Sequence, residues 1–343
     1  MTRKDVTVLA SMAVLCALLV LPVAGLSQTP APKLPKEITF ATAREGTVSY
    51  TVAVGMSNLI SRYTAMKCIV QPIGFIMQWG PSMKKGDIQI SHQSASASYA
   101  YHYGGLWWSK LPAEKWLQQL TSGSDLKYGF HVRADSKIQT FKDLVGKKLY
   151  CNFPSAPSMM PFVDGLFEYY GIQHKDVKEL VITDFNESVE EVIDGRADCV
   201  LTAIGAAYQK IKQAGGCRVL PISKEAAEYQ NKKYPFHSHA MVPAGYLGLP
   251  AETLVMTDPQ ILLTHKDVPE EATYQVLKAL YDHYDELAAI HADGKDWTLE
   301  RANQFRSIPY HTGAIRFLKE KKLWTPQVEE FQKQALVKDL KKK

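Results

Sequence analysis

Short apolar runs alternate along this chain with stretches of helical periodicity, and no other feature constrains the fold as strongly. Ile38–Ala41, Cys68–Pro72 and Ile88–Ser91 read as strands. Between the first two, Val52, Met56, Leu59, Ile60 and Tyr63 recur near helical spacing. A second series follows, with strands at Tyr128–Val132, Lys148–Asn152, Val181–Ile182, Asp198–Ala203 and Cys217–Pro221. Ser158 is placed to cap a helix carrying Met159, Val163, Leu166, Phe167 and Tyr170, which Gly171 stops. Asn186–Asp194 forms another helix, closed by Gly195. The chain ends with a strand at Pro259–Thr264, a long helix opened by Pro269, Glu270 and Glu271, and at least one helix within Phe305–Trp324. This rhythm predicts an α/β fold with a largely parallel sheet and helices on both faces.

At 343 residues the chain exceeds what one core usually supports, so two lobes are expected. Tyr128–Arg133 and Ile261–Lys266 are the expected crossings between them, each at a sheet edge. A cleft between lobes is a preferred place for a small-molecule site.

The first residues set the compartment. Arg3 and Lys4 precede an apolar run, Val6–Val20, and small residues follow at Ala24, Gly25 and Ser27. That is the pattern of a cleaved export signal over residues 1–27, with a run short of the roughly 20 residues a spanning helix needs. Cys16 lies inside the apolar run without small residues just before it, so no lipoprotein signal is read. The expected home is the periplasm. Cys68, Cys151, Cys199 and Cys217 would remain in the mature chain. Their spacing fits no zinc pattern, and disulfides and buried free thiols both stay open. The net charge of +5 is mild, and no basic stripe interleaved with aromatics suggests nucleic acid.

In open α/β sheets ligands bind beyond the carboxyl ends of strands. The loop after the first strand holds Arg44, Gly46, Thr47, Ser49 and Tyr50 and leads into a helix. After the third strand come Gln93, Ser94 and Ser96; after Lys148–Asn152 come Asn152, Ser155 and Ser158; after Asp198–Ala203 come Thr202 and Gly205. Each is small and hydroxyl-bearing, and several begin helices, whose free backbone N–H groups suit an anion. Turns and caps use the same residues, so only the four loops together point to a site. Arg44 is either a bidentate partner for a carboxylate or an exposed loop arginine. The run Tyr99, Tyr101, Tyr103, Trp107 and Trp108 reads as lobe packing. No catalytic set emerges: there is no G-x-S-x-G elbow, and His237 and His239 lack an acidic neighbour for a metal. No cofactor or metal is expected.

Several stretches also carry a family resemblance. They are Gly46–Tyr50 with Ala53–Gly55, Lys85–Ile90, Val132–Ser136, Ile193–Asp198, Tyr234-Pro-Phe236 with Val242–Tyr246, Leu262–Pro269 and Pro309–Arg316. In this order the sequence resembles the TAXI family of solute-binding proteins that serve TRAP transporters. The resemblance implies a type II periplasmic binding protein with a ligand cleft between its lobes. Lobe I would take residues 28–127 plus 255–343, and lobe II residues 128–254. It further implies a small carboxylate ligand, the membrane subunits of a TRAP transporter as partner, and no enzymatic activity. Its site loops fall on Gly46, Thr47, Ser49 and Tyr50, on Gln93–Ser96, on Pro154–Ser158 and on Thr202–Gly205, with Tyr234 and Pro235 beside them. Glu45 stands where the family often has glycine, and Ser155-Ala-Pro-Ser158 replaces a glycine-rich loop, leaving less room for close backbone approach. A ligand sensor docking on a receptor kinase and a periplasmic enzyme acting on a small acid are the rival readings.

Overall fold

The structure, a computed structural model, describes residues 34–340 except Gly46, Phe75, residues 105–111, Ser155 and residues 183–184. The export signal, Cys16, Gly46, Trp107, Trp108, Ser155 and the tail Lys341–Lys343 lie outside the described residues.

The chain begins with β1 (Glu37–Thr42), α1 (Val48–Tyr63), β2 (Lys67–Pro72), α2 (Ile76–Lys85), β3 (Ile90–Ser94) and α3 (Ala95–Tyr103). Helix α1 forms because Val52, Ala53, Met56, Leu59 and Ile60 share one buried face, and Thr47 caps its start by accepting from the Tyr50 N–H. A long strand, β4 (Leu117–Arg133), then carries the chain into a second unit. That unit holds β5 (Lys148–Asn152), α4 (Met160–Tyr170), β6 (Lys178–Val181), α5 (Phe185–Ile193), β7 (Cys199–Ala203), α6 (Ala206–Gln213), β8 (Cys217–Val219), α7 (Lys224–Lys233) and β9 (Ser238–Val242). Strand β10 (Thr253–His265) returns to the first unit, where α8 (Glu270–Asp282), α9 (Tyr284–Ile290), α10 (Thr312–Glu320) and α11 (Pro326–Leu340) complete it. Gly171 and Gly195 follow α4 and α5 at φ of 71° and 73°, a left-handed turn that glycine takes without steric cost.

The described strands form one sheet in the order β2-β1-β3-β10-β4-β7-β5-β6, with β9 added to β10 and β8 to β4. Within each lobe the core pairs are parallel: β1 with β2 and β3, and β5 with β6 and β7. The middle is antiparallel, as β10 pairs with β3 and β4 and β4 pairs with β7. The sheet is therefore mixed rather than largely parallel. The crossing strands are central rather than at the edges, because each must serve both lobes. Phe130, Val132, Val255 and Met256 sit in the apolar core of the second lobe. Leu117, Leu120, Ile261, Leu262 and Leu263 sit in those of the first. The fold is thus two α/β lobes threaded by two shared strands.

The β4–β10 ladder shifts register between Pro259 and Ile261, which face Asp125 and Ser122. Such a bulge bends a strand locally. Gly123 lies in it, and a Cβ there would come within 2.0 Å of the Trp297 ring. Arg301 clamps the same bend, donating to the Gly123 carbonyl at 2.9 Å and pairing with Asp125 at 2.6 Å. Cys68, Cys151, Cys199 and Cys217 are all buried and free, and burial raises their thiols. Of the two readings left open, they follow the buried thiol.

Candidate functional site

Parallel neighbours end side by side, so the loops after β1 and β3 lie together in one lobe and those after β5 and β7 in the other. The crossing strands run between these two pairs. Helix α3 spans the gap: it packs against the turn Pro157–Met159, and its Tyr99 ring lies 4.9 Å from Phe236.

The loop after β1 is the open one. Arg44, Glu45, Thr47 and Val48 are exposed, and Ser49 and Tyr50 are half-buried. The Thr47 hydroxyl donates to the Arg44 carbonyl at 2.7 Å and accepts from the Tyr50 N–H at 3.2 Å. This bracket holds the loop against the first turn of α1. The Ser49 carbonyl accepts from the Thr42 hydroxyl at 3.2 Å and meets His92 Nδ1 at 3.4 Å, tying the loop to β3. Arg44 makes no ion pair with another described residue. Helix α1 thus begins at an exposed end, flanked by a free guanidinium, with the positive end of its dipole toward solvent.

The loop after β3 is different. Gln93 and Ser94 are half-buried, but Ser96 is fully buried. Ser94 caps α3 by accepting from the Ala97 N–H. Both donors of Ser96 point at one carboxylate: its backbone N–H reaches Asp258 Oδ1 at 3.1 Å, and its hydroxyl donates to Asp258 Oδ2. The Ser94 hydroxyl lies 3.3 Å from that of Ser96, within the same cluster. Asp258 sits on β10 beside the bulge, opposite Leu126, and is only 1% exposed. Burial pushes its carboxyl up to about 7, against the lowering pull of Ser96 and Ser94, with nearby Asp125 adding to the rise. No lysine or arginine among the described residues pairs with it.

In the second lobe Asn152 ends β5 half-buried, and its carbonyl accepts from the Ile182 N–H at 2.8 Å. Ser158 does not cap the helix. It lies inside a turn of 3-10 helix, Pro157–Met159, and Met159 occupies the cap position of α4 without a side-chain bond. Pro157 and Pro161 each favour a helix start, and the cap of α4 falls one residue further along. Thr202 is buried on β7 opposite Gly129. Gly205 precedes α6 with extended backbone, and the space a Cβ would take there is open, so that helix start is unobstructed. Tyr234 closes α7 and is buried, its ring against Phe236 at 5.9 Å and its hydroxyl raised by burial. His237 stacks on Phe162 at 3.7 Å, and His239 meets Asn231 at 2.7 Å, so both rings serve packing and local bonding.

Arg44, Thr47, Ser49 and Tyr50 are therefore grouped with Gln93 and Ser94 in one lobe, and Asn152 and Ser158 with Thr202 and Gly205 in the other. Asp258 was not singled out by the sequence. The available signal was a lone charged residue inside the mostly apolar stretch Leu254–Leu263.

Residues 40–321 match the model of the NMT1-like family. Among solved structures, a periplasmic sulfonate-binding protein SsuA from Methylobacillus flagellatus KT superposes with a TM-score of 0.51 at 14% identity, covering 84% of this chain and 95% of that one. At that identity the likeness speaks to the fold. A TctC solute binding protein from Polaromonas gives a TM-score of 0.49 at 10% identity, covering 76% and 86%. The aliphatic sulphonate binding protein SsuA from Escherichia coli gives 0.49 at 13%, covering 88% and 97%.

Proposed function

The chain belongs to the NMT1-like family, and from that premise we propose that it is an extracytoplasmic solute-binding protein that captures a small organic acid. The narrower assignment within this reading is the TAXI type, with delivery to the membrane subunits of a TRAP transporter. Residues 1–27 act as the export signal, and no helix among the described residues is long and apolar enough to cross a membrane. Lobe I takes residues 28–127 plus 255–343 and lobe II residues 128–254.

One observation carries the reading. Two pairs of strand-end loops flank the crossing of β4 and β10, and one of them offers an exposed helix start beside an unpaired Arg44. A carboxylate entering there meets the backbone N–H groups of α1, the Arg44 guanidinium and the Ser49 hydroxyl. The loops Asn152–Ser158 and Thr202–Gly205 then close over its other end. The closed state is favoured only by contacts the ligand makes to both lobes at once, and bending occurs at the Gly123 bulge. Nothing in this cycle needs a nucleophile or a base.

Arg44→Gln tests the placement. The side chain is exposed and makes no ion pair with another described residue, so folding stability should stay within about 0.5 kcal/mol of wild type. Loss of a charge-assisted pair should weaken carboxylate binding by about tenfold or more in calorimetry. Unchanged affinity for the bound acid would remove the α1 end from the site.

A further inference from the structure

Two helices of lobe I start at the ends of β1 and β3, and their starts are not equivalent. The start of α1 is exposed and bordered by a free arginine. The start of α3 already holds a carboxylate, supplied by Asp258 from the returning strand. Three of its donors are engaged: the Ser96 N–H and hydroxyl go to Asp258, and the Ala97 N–H goes to Ser94. The Asp258 carboxylate is buried without a cationic partner among the described residues, so little solvent screens its field near Gln93 and Ser94. The charged group acting on it, Asp125, is negative and spent on Arg301. Tyr128, the other titratable group facing it, is held neutral by burial and by the Asp258 charge.

We propose that Asp258 sets the charge specificity of the cleft: its carboxylate takes the anion seat at the start of α3, so the site accepts a ligand with one carboxylate and rejects one that brings a second to that end. This rests on the reading of the protein as an organic-acid binder. It follows from two facts of geometry: one positive helix end is open, and the other is neutralised from within. A ligand whose far end is neutral or cationic fits this arrangement, whereas a dianion meets a buried negative charge that already holds the Ser96 N–H and hydroxyl.

The test uses matched acids of equal length on the mature protein: butyrate with succinate, valerate with glutarate, and norvaline with glutamate. At a pH of about 8.5, where Asp258 is ionised, wild type should bind the monocarboxylate of the best pair at least about tenfold more tightly than its dicarboxylate. Asp258→Asn should narrow that ratio by about tenfold, through gained affinity for the dicarboxylate. A merely structural role would weaken both acids alike. Wild type alone gives an independent readout, because protonating Asp258 at lower pH should shrink its bias against the dicarboxylate. Equal or tighter dicarboxylate binding by wild type would overturn the proposal. So would a folded Asp258→Asn protein with an unchanged ratio. If no acid of either kind binds, the organic-acid reading itself fails, and this proposal with it.

Discussion

Gly123→Ala is expected to destabilise the protein by about 3 kcal/mol or more, at the upper end for overpacking a core. The added methyl would sit 2.0 Å from the Trp297 ring, and a contact under 3.0 Å must be relieved by movement. Neither partner can move cheaply. Trp297 is fully buried and holds an edge contact with His92 at 5.3 Å. The Gly123 backbone is fixed from the other side by Arg301. Because the clash falls at the bulge between lobes, the variant should also lose ligand affinity if it folds at all. Chemical denaturation measures the loss. Trp297→Phe in the same chain should recover part of it, with a coupling energy above about 1 kcal/mol. Wild-type stability in Gly123→Ala would mean the strands do not cross as described.

A second large effect concerns acid. Asp258 titrates near 7 in the folded chain, far above an unfolded aspartate, so the native state holds this proton more tightly. The sign follows from linkage: as pH rises from about 4 to about 7, the unfolded chain releases the proton while the folded chain keeps it, and stability falls. The loss is complete once pH passes the folded value. Its size is a few kcal/mol, about 4 at most for a shift of this order. Other carboxyls act in the opposite direction at lower pH, among them Asp143 and Asp282, whose hydrogen bonds and lysine partners hold them low. The informative quantity is therefore the difference between wild type and Asp258→Asn across pH. That difference should change steadily over this window in ligand-free protein. A constant difference would show that the carboxylate is not buried unpaired.

The parts of the fold that were legible are those with local signals. Strands β1, β2 and β5 are short apolar runs between turn residues, and α8 announces itself through Pro269 and its first-turn acids. The first half of β4 carries no such signal. Leu117–Asp125 contains glutamines, serines, a threonine and a glycine and reads as loop. It becomes strand because distant groups satisfy its buried polar side chains: Gln119 donates to the Phe305 carbonyl at 2.6 Å and accepts from the Ser307 N–H at 3.1 Å. The mixed sheet was hidden for the same reason, since the antiparallel centre depends on that stretch. Helix α7, with few apolar residues, is held by Ser223 at its cap and by Ala226 and Ala227 at its buried face. In the site, the strand-end loops could be found from the rhythm of elements. The spent state of Ser96 could not, because its partner lies 162 positions along the chain.

The central claim is that the cleft closes on a small organic acid, and the melting temperature of the mature, ligand-free protein against a panel of organic acids tests it most directly. A ligand at 100 times its dissociation constant adds about 2.7 kcal/mol of stability. The account predicts a rise of several degrees with one class of acid, monocarboxylates foremost, and none with sugars or simple salts. No rise with any organic acid, in protein verified to carry no ligand from its preparation, would contradict it.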